Sequence, residues 1–263
     1  MDEIIRALGD AGRRVAAIEA SEGSAGNISV LVGWEVDAPS GFSQIETAAS
    51  PLACPELTGA CFLVTGSGRR LREIGEDPEA NLAFVRVVDG DSVEIRSSPR
   101  RHFTRPTSEF NSHLAVHREH AQDREVPHTV VHAQPLYLTY LSHIRRYGDW
   151  TYLNRHVLRW QPELIIQIPE GIAVLPFLMP GSPELMQATV EAMRSHRIVL
   201  WSQHGVMTRS RGSVKKAVDI VEYAETGAKY EYLNLTNHGL AEGLTDDQIR
   251  AICATFGVDQ RVF

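Results

Sequence analysis

The sequence predicts an α/β fold in which helices pack on a mixed, mainly antiparallel sheet. The predicted strands are short and several are joined by tight turns, while amphipathic helical segments lie between them. A regular alternation of one strand and one helix, which would indicate a doubly wound or barrel topology, is not visible. The 263 residues, of which 43% are hydrophobic, suffice for a full core. No repeat or long linker divides the chain, so we expect a single domain over residues 1–263.

The N-terminal half of the sequence contains clear signals for a hairpin and a helix. An irregular segment separates these elements from the first predicted strand. The Asp89-Gly90 turn between two apolar runs predicts the hairpin. Thr107 or Ser108 can cap a helix that begins near Glu109. Residues 33–59 are rich in Pro, Ser, Gly and Glu, which indicates a long loop or insertion. The predicted elements are a helix over 2–19, strands over 28–32, 61–64, 82–88 and 91–96, and a helix over 109–117.

The C-terminal half contains a second hairpin signal and a well-marked last helix. Pro169-Glu170-Gly171 lies between two apolar runs and predicts a turn that joins two strands. Thr245 and Gln248 have the spacing of a capping box, and Gly257 is a residue type that commonly follows a helix. The predicted elements are strands over 129–132, 164–168, 172–175 and 197–201, and helices over 182–196, 213–235 and 245–257.

Charge and composition exclude several classes of function. The net charge of −7 provides no basic excess for a nucleic-acid backbone, so no nucleic-acid partner is expected, although a local pocket for one small phosphate is compatible with it. Cys54, Cys61 and Cys253 have no paired spacing, which is typical of reduced intracellular thiols. Residues 1–20 are charged and lack the apolar core of a signal peptide, and no run approaches a membrane span. We expect a soluble, cytoplasmic protein with no membrane partner.

Residues 128–134 carry the first candidates for metal ligands. Side chains two apart on a strand point the same way, about 7 Å apart at the backbone, so His132 and Gln134 can face one ion. His204 follows another predicted strand, and Glu109 adds a carboxylate at the start of a helix. Imidazole nitrogens and carboxylate oxygens are common ligands of divalent metals. The sequence therefore predicts a metal site at which these four residues meet.

A second arrangement competes with this one. Glu109, His113 and His117 recur every four residues along one face of the predicted helix, and adjacent helical turns can bind zinc. The spacing differs from that of helical zinc motifs, because the acid comes first. We therefore expect His113 to pack near the site or support it, and His117 and His120 to lie at the surface.

Three segments of small residues have the composition of anion cradles. Backbone N–H groups at a turn or a helix start, together with short hydroxyl side chains, suit a phosphate monoester. The segment around Thr65 is also compatible with an ordinary turn. The three segments are Gly26-Asn27, Thr65-Gly66-Ser67-Gly68 and Thr107-Ser108.

Five short segments together connect the sequence to a known family. They are, in order, SAGNIS at 24–29, LVTGSG at 63–68, PTSEF at 106–110, VVHAQP at 130–135 and QHGV at 203–206. In this order they resemble the class II aldolase/adducin family, and the resemblance extends from about residue 11 to the final helix. Segments 171–181 and 222–228 and the long segment at 34–59 are more similar to the rhamnulose-1-phosphate aldolase members than to the fuculose-phosphate aldolase or ribulose-phosphate epimerase members.

The resemblance implies a class II aldolase-like αβα sandwich with one divalent metal per chain, bound by three histidines and a mobile glutamate. His132 and His204 match the first and third histidines, and Glu109 matches the catalytic acid/base. Gln134 stands where the family has its second histidine. Because an amide oxygen is a harder and weaker ligand than imidazole, Zn²⁺ is expected to bind less tightly, so that Mn²⁺, Co²⁺ or Mg²⁺ compete better.

The resemblance also assigns substrate contacts and assembly. A second carboxylate, which a neighbouring subunit donates in the rhamnulose-phosphate enzymes, matches Glu163; the alternative for Glu163 is a solvated loop acid. The family implies a homotetramer with its sites at subunit interfaces. The positions that match the family's phosphate-binding residues are Asn27, Thr65, Gly66, Thr107 and Ser108.

The function implied is a metal-dependent aldolase, an aldehyde-lyase. Such an enzyme would cleave a ketose 1-phosphate of the rhamnulose 1-phosphate type into dihydroxyacetone phosphate and an aldehyde such as lactaldehyde. Two alternatives remain open at this point. One is a pentulose-phosphate 4-epimerase, which rejoins the cleaved halves, and the other is a non-catalytic, adducin-like binding or assembly module, which Gln134 favours.

Overall fold

The computed structural model describes residues 1–120 and 126–263, and in these ranges nine strands form one sheet. The strands are β1 (Asn27–Trp34), β2 (Gln44–Ala49), β3 (Ala60–Thr65), β4 (Leu82–Val87), β5 (Ser92–Ser97), β6 (His128–Ala133), β7 (Ala173–Leu175), β8 (Ile198–Trp201) and β9 (Gly205–Arg211). Their order is β2-β5-β4-β3-β1-β6-β9-β8-β7. Among the strands of these described ranges, only β7 and β8 pair in parallel. The prediction of an α/β fold with a mixed, mainly antiparallel sheet is confirmed.

Helices cover both faces of the sheet. The helices of the described ranges are α1 (Asp2–Ala17), α2 (Pro78–Asn81), α3 (Phe110–His120), α4 (Leu136–Leu141), α5 (Trp150–Val157), α6 (Pro162–Gln167), α7 (Pro183–Met193), α8 (Val214–Thr236) and α9 (Asp246–Phe256). Alternate residues of β6 point to opposite faces, so Val131 joins the core beneath α1 and α8 while Val130 packs with residues of α3 and α7. In the described part of the chain no helix is long and apolar enough to cross a membrane.

Several elements form where the sequence predicts them because their local signals are strong. The Asp89-Gly90 turn joins β4 and β5, which pair in antiparallel register. Thr245 and Gln248 form the reciprocal capping box at the start of α9, and Gly257 ends that helix with a φ of 64°, in the left-handed region that glycine adopts without a steric penalty.

The predicted hairpin around Pro169-Glu170-Gly171 is wrong. Its first strand is the helix α6, which begins with Pro162 at a position where the fixed φ of proline suits a helix. The apolar residues Leu164, Ile165 and Ile168 are fully buried, and their spacing places them on one face of a helix. The second strand, β7, pairs in parallel with β8 instead. A short apolar run fits a buried strand and a buried helix equally well, so periodicity alone could not distinguish them.

The predicted long loop over residues 33–59 is also wrong in part. β1 extends to Trp34, and β2 adds an edge strand whose six residues are all exposed. Because β2 has no buried face, it lacks the alternation of apolar and polar residues by which a half-buried strand is recognised. The strand β9 and the helices α4 and α5 are further elements that were not predicted from the sequence.

The register of the central strands determines where the candidate site lies. Asn27, the first residue of β1, is paired with His132 near the end of β6. On the other side of β6, Ala133 is paired with Val206 of β9. The turn between β8 and β9 contains His204 and therefore lies beside the end of β6. Three segments that are distant in sequence thus meet at the same ends of the central strands β1, β6 and β9.

Candidate metal and active site

Glu109, His132 and His204 form a compact cluster at these ends of the central strands. Their potential ligand atoms all lie within 4.8 Å of one another. Each imidazole Nε2 is 3.6 Å from a different carboxylate oxygen of Glu109, so the carboxylate lies between the two histidines. Glu109 and His132 are buried, and His204 is mostly buried. The structure therefore brings together three of the four residues that the sequence predicts around a metal.

His132 is held in one ring orientation. Its Nδ1 donates a hydrogen bond to the backbone oxygen of Val206 at 2.9 Å. A neutral imidazole has one N–H, so its Nε2 then carries the lone pair and points it at the cluster. The ring also stacks on the buried Trp201 with centroids 4.8 Å apart. This combination of a carbonyl partner and a stacked ring is how proteins orient histidine ligands.

His204 lies in the tight turn between β8 and β9. Gln203 has a φ of 63°, and its N–H donates to Ser142 Oγ at 2.7 Å, which holds the turn to the end of α4. The next residue must be small, because a Cβ on Gly205 would lie 2.4 Å from the oxygen of Ala133. In the described part of the chain the Nδ1 of His204 is buried without a hydrogen-bond partner.

Glu109 precedes α3 and points back towards the sheet. Asn27 donates from Nδ2 to Glu109 Oε2 at 2.8 Å. Burial alone would raise the pKa of the Glu109 carboxyl, but His132, the Asn27 hydrogen bond and His204 together hold it below its ordinary value. Burial lowers the pKa of His204 to about 4. At neutral pH the cluster therefore contains a carboxylate and a neutral His204 imidazole.

This set of donors fits a divalent metal ion. Two ligands that each lie about 2.1 Å from a tetrahedral ion are about 3.4 Å apart, close to the two observed separations of 3.6 Å. Metals require deprotonated carboxylate and neutral imidazole, which Glu109 and His204 provide. A cation would also compensate the buried charge of Glu109, and His204 has a nitrogen lone pair to offer.

Gln134 lies beside the cluster. It follows the last residue of β6 and shares with His204 the lining of an open cavity of about 590 Å³. A Cβ placed on Gly205 would be 3.0 Å from Gln134 Cγ, so the stem of this side chain runs along the His204 turn. The remaining lining residues of the cavity are Glu19, Glu22, Leu136, Thr139, Tyr140 and His143.

The predicted phosphate-binding residues lie next to Glu109, but part of their hydrogen-bonding capacity is already used. The N–H of Gly66 donates to Asn81 at 2.8 Å, and that of Thr107 donates to Thr65 at 3.0 Å. The hydroxyl of Thr65 accepts from the backbone of Ile28 at 3.1 Å. The backbone cradle that the sequence predicts is therefore largely occupied by the protein itself.

Asn27 and Ser108 complete the predicted phosphate set and differ sharply in environment. Asn27 is buried, and its amide is hydrogen-bonded to Glu109 and His113. Ser108 is exposed and lines a separate cavity of about 470 Å³ together with Thr107 and Arg105. Ser108 is therefore the member of the set most open to an incoming ligand.

Glu163 lies apart from the cluster formed by Glu109 and the histidines. It is exposed in the first turn of α6, and its carboxylate is not among the ligand atoms that meet there. The prediction that it acts from a neighbouring subunit requires an exposed side chain, and this position provides one.

The prediction that His117 and His120 lie at the surface is wrong. His117 is fully buried and hydrogen-bonded to Ser29 and His128, and His120 is partly buried. The sequence analysis also assigned no role to Trp201, whose ring packs against both histidines of the cluster. A helix pattern reports which residues share a face, but it does not show that the polar side of α3 packs against Ser29 of β1.

Comparisons with known proteins agree with the fold. The class II aldolase and adducin N-terminal domain family model matches residues 6–232. A rhamnulose-1-phosphate aldolase of Listeria monocytogenes serotype 4b is 30% identical over 214 residues, covering 78% of this chain and 75% of that protein. A rhamnulose-1-phosphate aldolase of Salmonella paratyphi C is 32% identical over 211 residues, covering 78% and 74%. The crystal structure of a sugar-phosphate aldolase from Thermotoga maritima superposes with a TM-score of 0.76 at 31% identity, covering 90% of this chain and 97% of that one.

The fold is that of a class II aldolase. The chain belongs to the class II aldolase and adducin N-terminal domain family, because the family model covers most of its length. The predicted enzyme class, an aldehyde-lyase of the aldolase type, is confirmed.

Proposed function

We propose that this enzyme cleaves a ketose 1-phosphate of the rhamnulose 1-phosphate type into dihydroxyacetone phosphate and lactaldehyde. The observation that carries the proposal is the buried carboxylate of Glu109 between the two imidazoles, beside an open cavity large enough for a small sugar. The names of the relatives from Listeria and Salmonella support the choice of substrate.

The reaction requires one proton to leave and one to arrive. A base takes the proton of the C4 hydroxyl, the C3–C4 bond breaks to release the aldehyde, and the electron pair remains on C3. Glu109, after taking up a proton from solvent, delivers that proton to C3, which completes dihydroxyacetone phosphate, and the base returns the first proton to solvent. In the synthetic direction the same carboxylate removes that proton, so its fixed position beside the reacting carbon is the main requirement.

His132, His204 and Glu109 would hold the divalent ion, with Gln134 as a direct or water-bridged contact. The ion supplies a Lewis acid for the negative charge that develops on the carbonyl oxygen of the substrate. We propose Zn²⁺ as its identity, with Mn²⁺, Co²⁺ or Mg²⁺ able to compete because an amide replaces an imidazole at Gln134.

Phosphate binding and the second carboxylate complete the proposed site. The hydroxyls of Ser108 and Thr107 and the second N–H of the Asn27 amide supply phosphate contacts at the start of α3, with Thr65 and Gly66 shaping the turn beneath them. Glu163 of a neighbouring subunit supplies the second carboxylate within a homotetramer. We propose that the enzyme acts in the cytoplasm, on a small phosphorylated sugar.

Two measurements test this function. Elemental analysis should find one divalent ion per chain, and a panel of rhamnulose, fuculose and ribulose 1-phosphates should release dihydroxyacetone phosphate fastest from the rhamnulose compound. His132→Ala and His204→Ala should each lose the ion while remaining folded, whereas His143→Ala, an exposed histidine of the adjoining cavity, should keep it. Retention of a full complement of metal by either cluster variant would contradict the site, and faster release from another ketose would contradict the substrate.

A further inference from the structure

A continuous chain of buried side chains runs from Glu109 into the layer between α3 and the sheet. Asn27 Nδ2 is 2.8 Å from Glu109, and Asn27 Oδ1 is 2.5 Å from His113 Nε2. Ser29 Oγ lies 2.7 Å from His113 Nδ1 and 2.8 Å from His117 Nε2. His117 Nδ1 is 2.8 Å from His128 Nδ1. All of these residues are buried.

With a carboxylate at one end, the donors and acceptors of this hydrogen-bond chain can be assigned in only one order. The Asn27 amide directs its nitrogen towards the Glu109 carboxylate, which accepts, and its oxygen towards His113. His113 must then donate from Nε2, which leaves Nδ1 as an acceptor. The single hydroxyl proton of Ser29 goes to that nitrogen.

The remaining donors and acceptors of this hydrogen-bond chain, as far as His128, are determined in the same way. Ser29 has given its proton to His113, so it accepts from Nε2 of His117. The Nδ1 of His117 is then an acceptor, and His128 donates to it from its own Nδ1. The Nε2 of His128 is left with a lone pair, and among the described residues that atom has no partner.

The environment keeps all three rings neutral, as this order requires. Burial lowers the pKa of His113 and of His128 to about 3, and it lowers the pKa of His117 well below its ordinary value. A charged ring would donate from both nitrogens and would place two donors against each other. Every hydrogen bond of the chain therefore points towards the Glu109 carboxylate.

We propose that Asn27, His113, Ser29, His117 and His128 are positioning residues that hold the Glu109 carboxylate between His132 and His204 before substrate binds. The chain gives Asn27 one amide orientation and so presents a donor, not an acceptor, to Glu109 Oε2. An Asn27 amide that was free to flip would place its oxygen against the carboxylate and push it away. The catalytic consequence rests on the proposed aldolase function, but the order of donors does not.

The donor order is tested by NMR of the full-length, metal-loaded protein labelled with ¹⁵N in its histidines. The ring nitrogen shifts report which nitrogen carries the proton. We expect the Nε2–H tautomer for His113 and His117 and the Nδ1–H tautomer for His128. An Nε2–H tautomer at His128, or a doubly protonated ring at neutral pH, would overturn the proposal whether or not the protein cleaves any sugar phosphate.

The positioning role is tested with Ser29→Ala, which removes the central hydroxyl. The matched control is Ser112→Ala, another fully buried serine beside His113, whose hydroxyl has no partner among the described residues. Ser29→Ala should lower kcat about 10- to 100-fold, the range typical of residues behind a metal site, with KM and metal content unchanged. Ser112→Ala should behave as wild type. Equal kcat values for the two variants would overturn the role.

A conservative pair at the far end separates hydrogen bonding from packing. His128→Asn keeps an N–H donor near the position of Nδ1, whereas His128→Leu removes it. We expect Asn to retain most of kcat and Leu to lose it to the same extent as Ser29→Ala. Equal losses in both variants would overturn the role of the His128 donor in the hydrogen-bond chain. If the wild-type protein releases no dihydroxyacetone phosphate, the proposed function is rejected. The tautomers of the three histidines would still show whether the hydrogen-bond chain has the proposed order.

Discussion

The Glu109 carboxylate combines a buried position between two histidines with a proposed proton-transfer role, so a single substitution can separate the two. Glu109→Gln keeps the size of the side chain and removes its ability to carry the proton. Exchange of a hydroxymethyl proton of dihydroxyacetone phosphate with deuterated solvent, followed by NMR without aldehyde, should slow by about 100-fold or more. This assay isolates proton transfer from any role of Glu163. Near-normal exchange in a variant with full metal content would remove Glu109 from the mechanism.

Gln134 tests the ligand chemistry of the same site. Because its stem already runs along the His204 turn, Gln134→His should place an imidazole near the cluster with little change in the fold. Imidazole is a better zinc ligand than an amide oxygen, so Zn²⁺ affinity should rise. Competition titration with a chelator measures the change, and Gln134→Ala controls for the loss of the amide. An affinity for Zn²⁺ equal to or below that of wild type would mean that position 134 points away from the ion.

At this scale the sequence predicted the residue types of the site better than their surroundings. Glu109, His132 and His204 could be selected because each follows or precedes a recognisable element and belongs to a family motif. The burial of His117 could not, because it depends on Ser29, which lies 88 positions away in the sequence. Polar residues on one face of an isolated helix look solvated until the partner element is known.

Among the elements, α4 has an unusual cap that makes its stability depend on pH. Glu225 of α8 accepts the N–H groups of Tyr137 and Leu138, at 2.8 and 3.0 Å, in the first turn of α4. Burial raises the pKa of Glu225 to about 7, although both hydrogen bonds and Lys229 oppose the shift. Its value in the unfolded chain is about 4.3. Between these two values the folded protein binds the extra proton, so this residue lowers the free energy of unfolding as pH rises.

Urea unfolding at pH 5 and pH 7.5 measures that contribution. We expect Glu225 to lower the free energy of unfolding of the wild type by on the order of 3 kcal/mol between pH 5 and pH 7.5. The Glu225→Gln variant should lack this decrease. The buried histidines have lowered pKa values and act in the opposite direction, so the comparison is the difference between wild type and variant at each pH. The same pH dependence in both proteins would show that Glu225 is ionised throughout.

The elements predicted from sequence are those with complete local signals. The β4–β5 hairpin and the capped helix α9 each need only a few neighbouring residues to be recognised. The helix α6 and the edge strand β2 are different cases, since one is fully apolar on its buried side and the other is exposed along its whole length. Whether such a segment forms a helix or a strand depends on the residues that pack against it. The local sequence pattern does not contain that information.

For the whole molecule, the proposed tetramer makes a complementation experiment decisive. If each site combines Glu109 of one subunit with Glu163 of its neighbour, Glu109→Gln and Glu163→Gln homotetramers should both be impaired. Hybrids formed by mixing and refolding equal amounts should recover about a quarter of the wild-type sites, because one arrangement in four restores both carboxylates. Light scattering verifies the tetramer. A mixture no more active than its parents would place Glu163 outside the site or within the same subunit.

The cluster draws its residues from positions 109, 132 and 204, which become neighbours only after the central sheet has formed. An unfolded chain therefore offers no preassembled chelate, and the ion acts thermodynamically as a selective partner of the native state. At a free concentration 100 times Kd it should add about 2.7 kcal/mol to stability, which corresponds to a rise in melting temperature of about 5 to 11 °C for a chain of this size. Calorimetry over a metal titration should show that rise for wild type and its loss in His204→Ala. The melting temperature then measures occupancy of the centre even before any substrate is known.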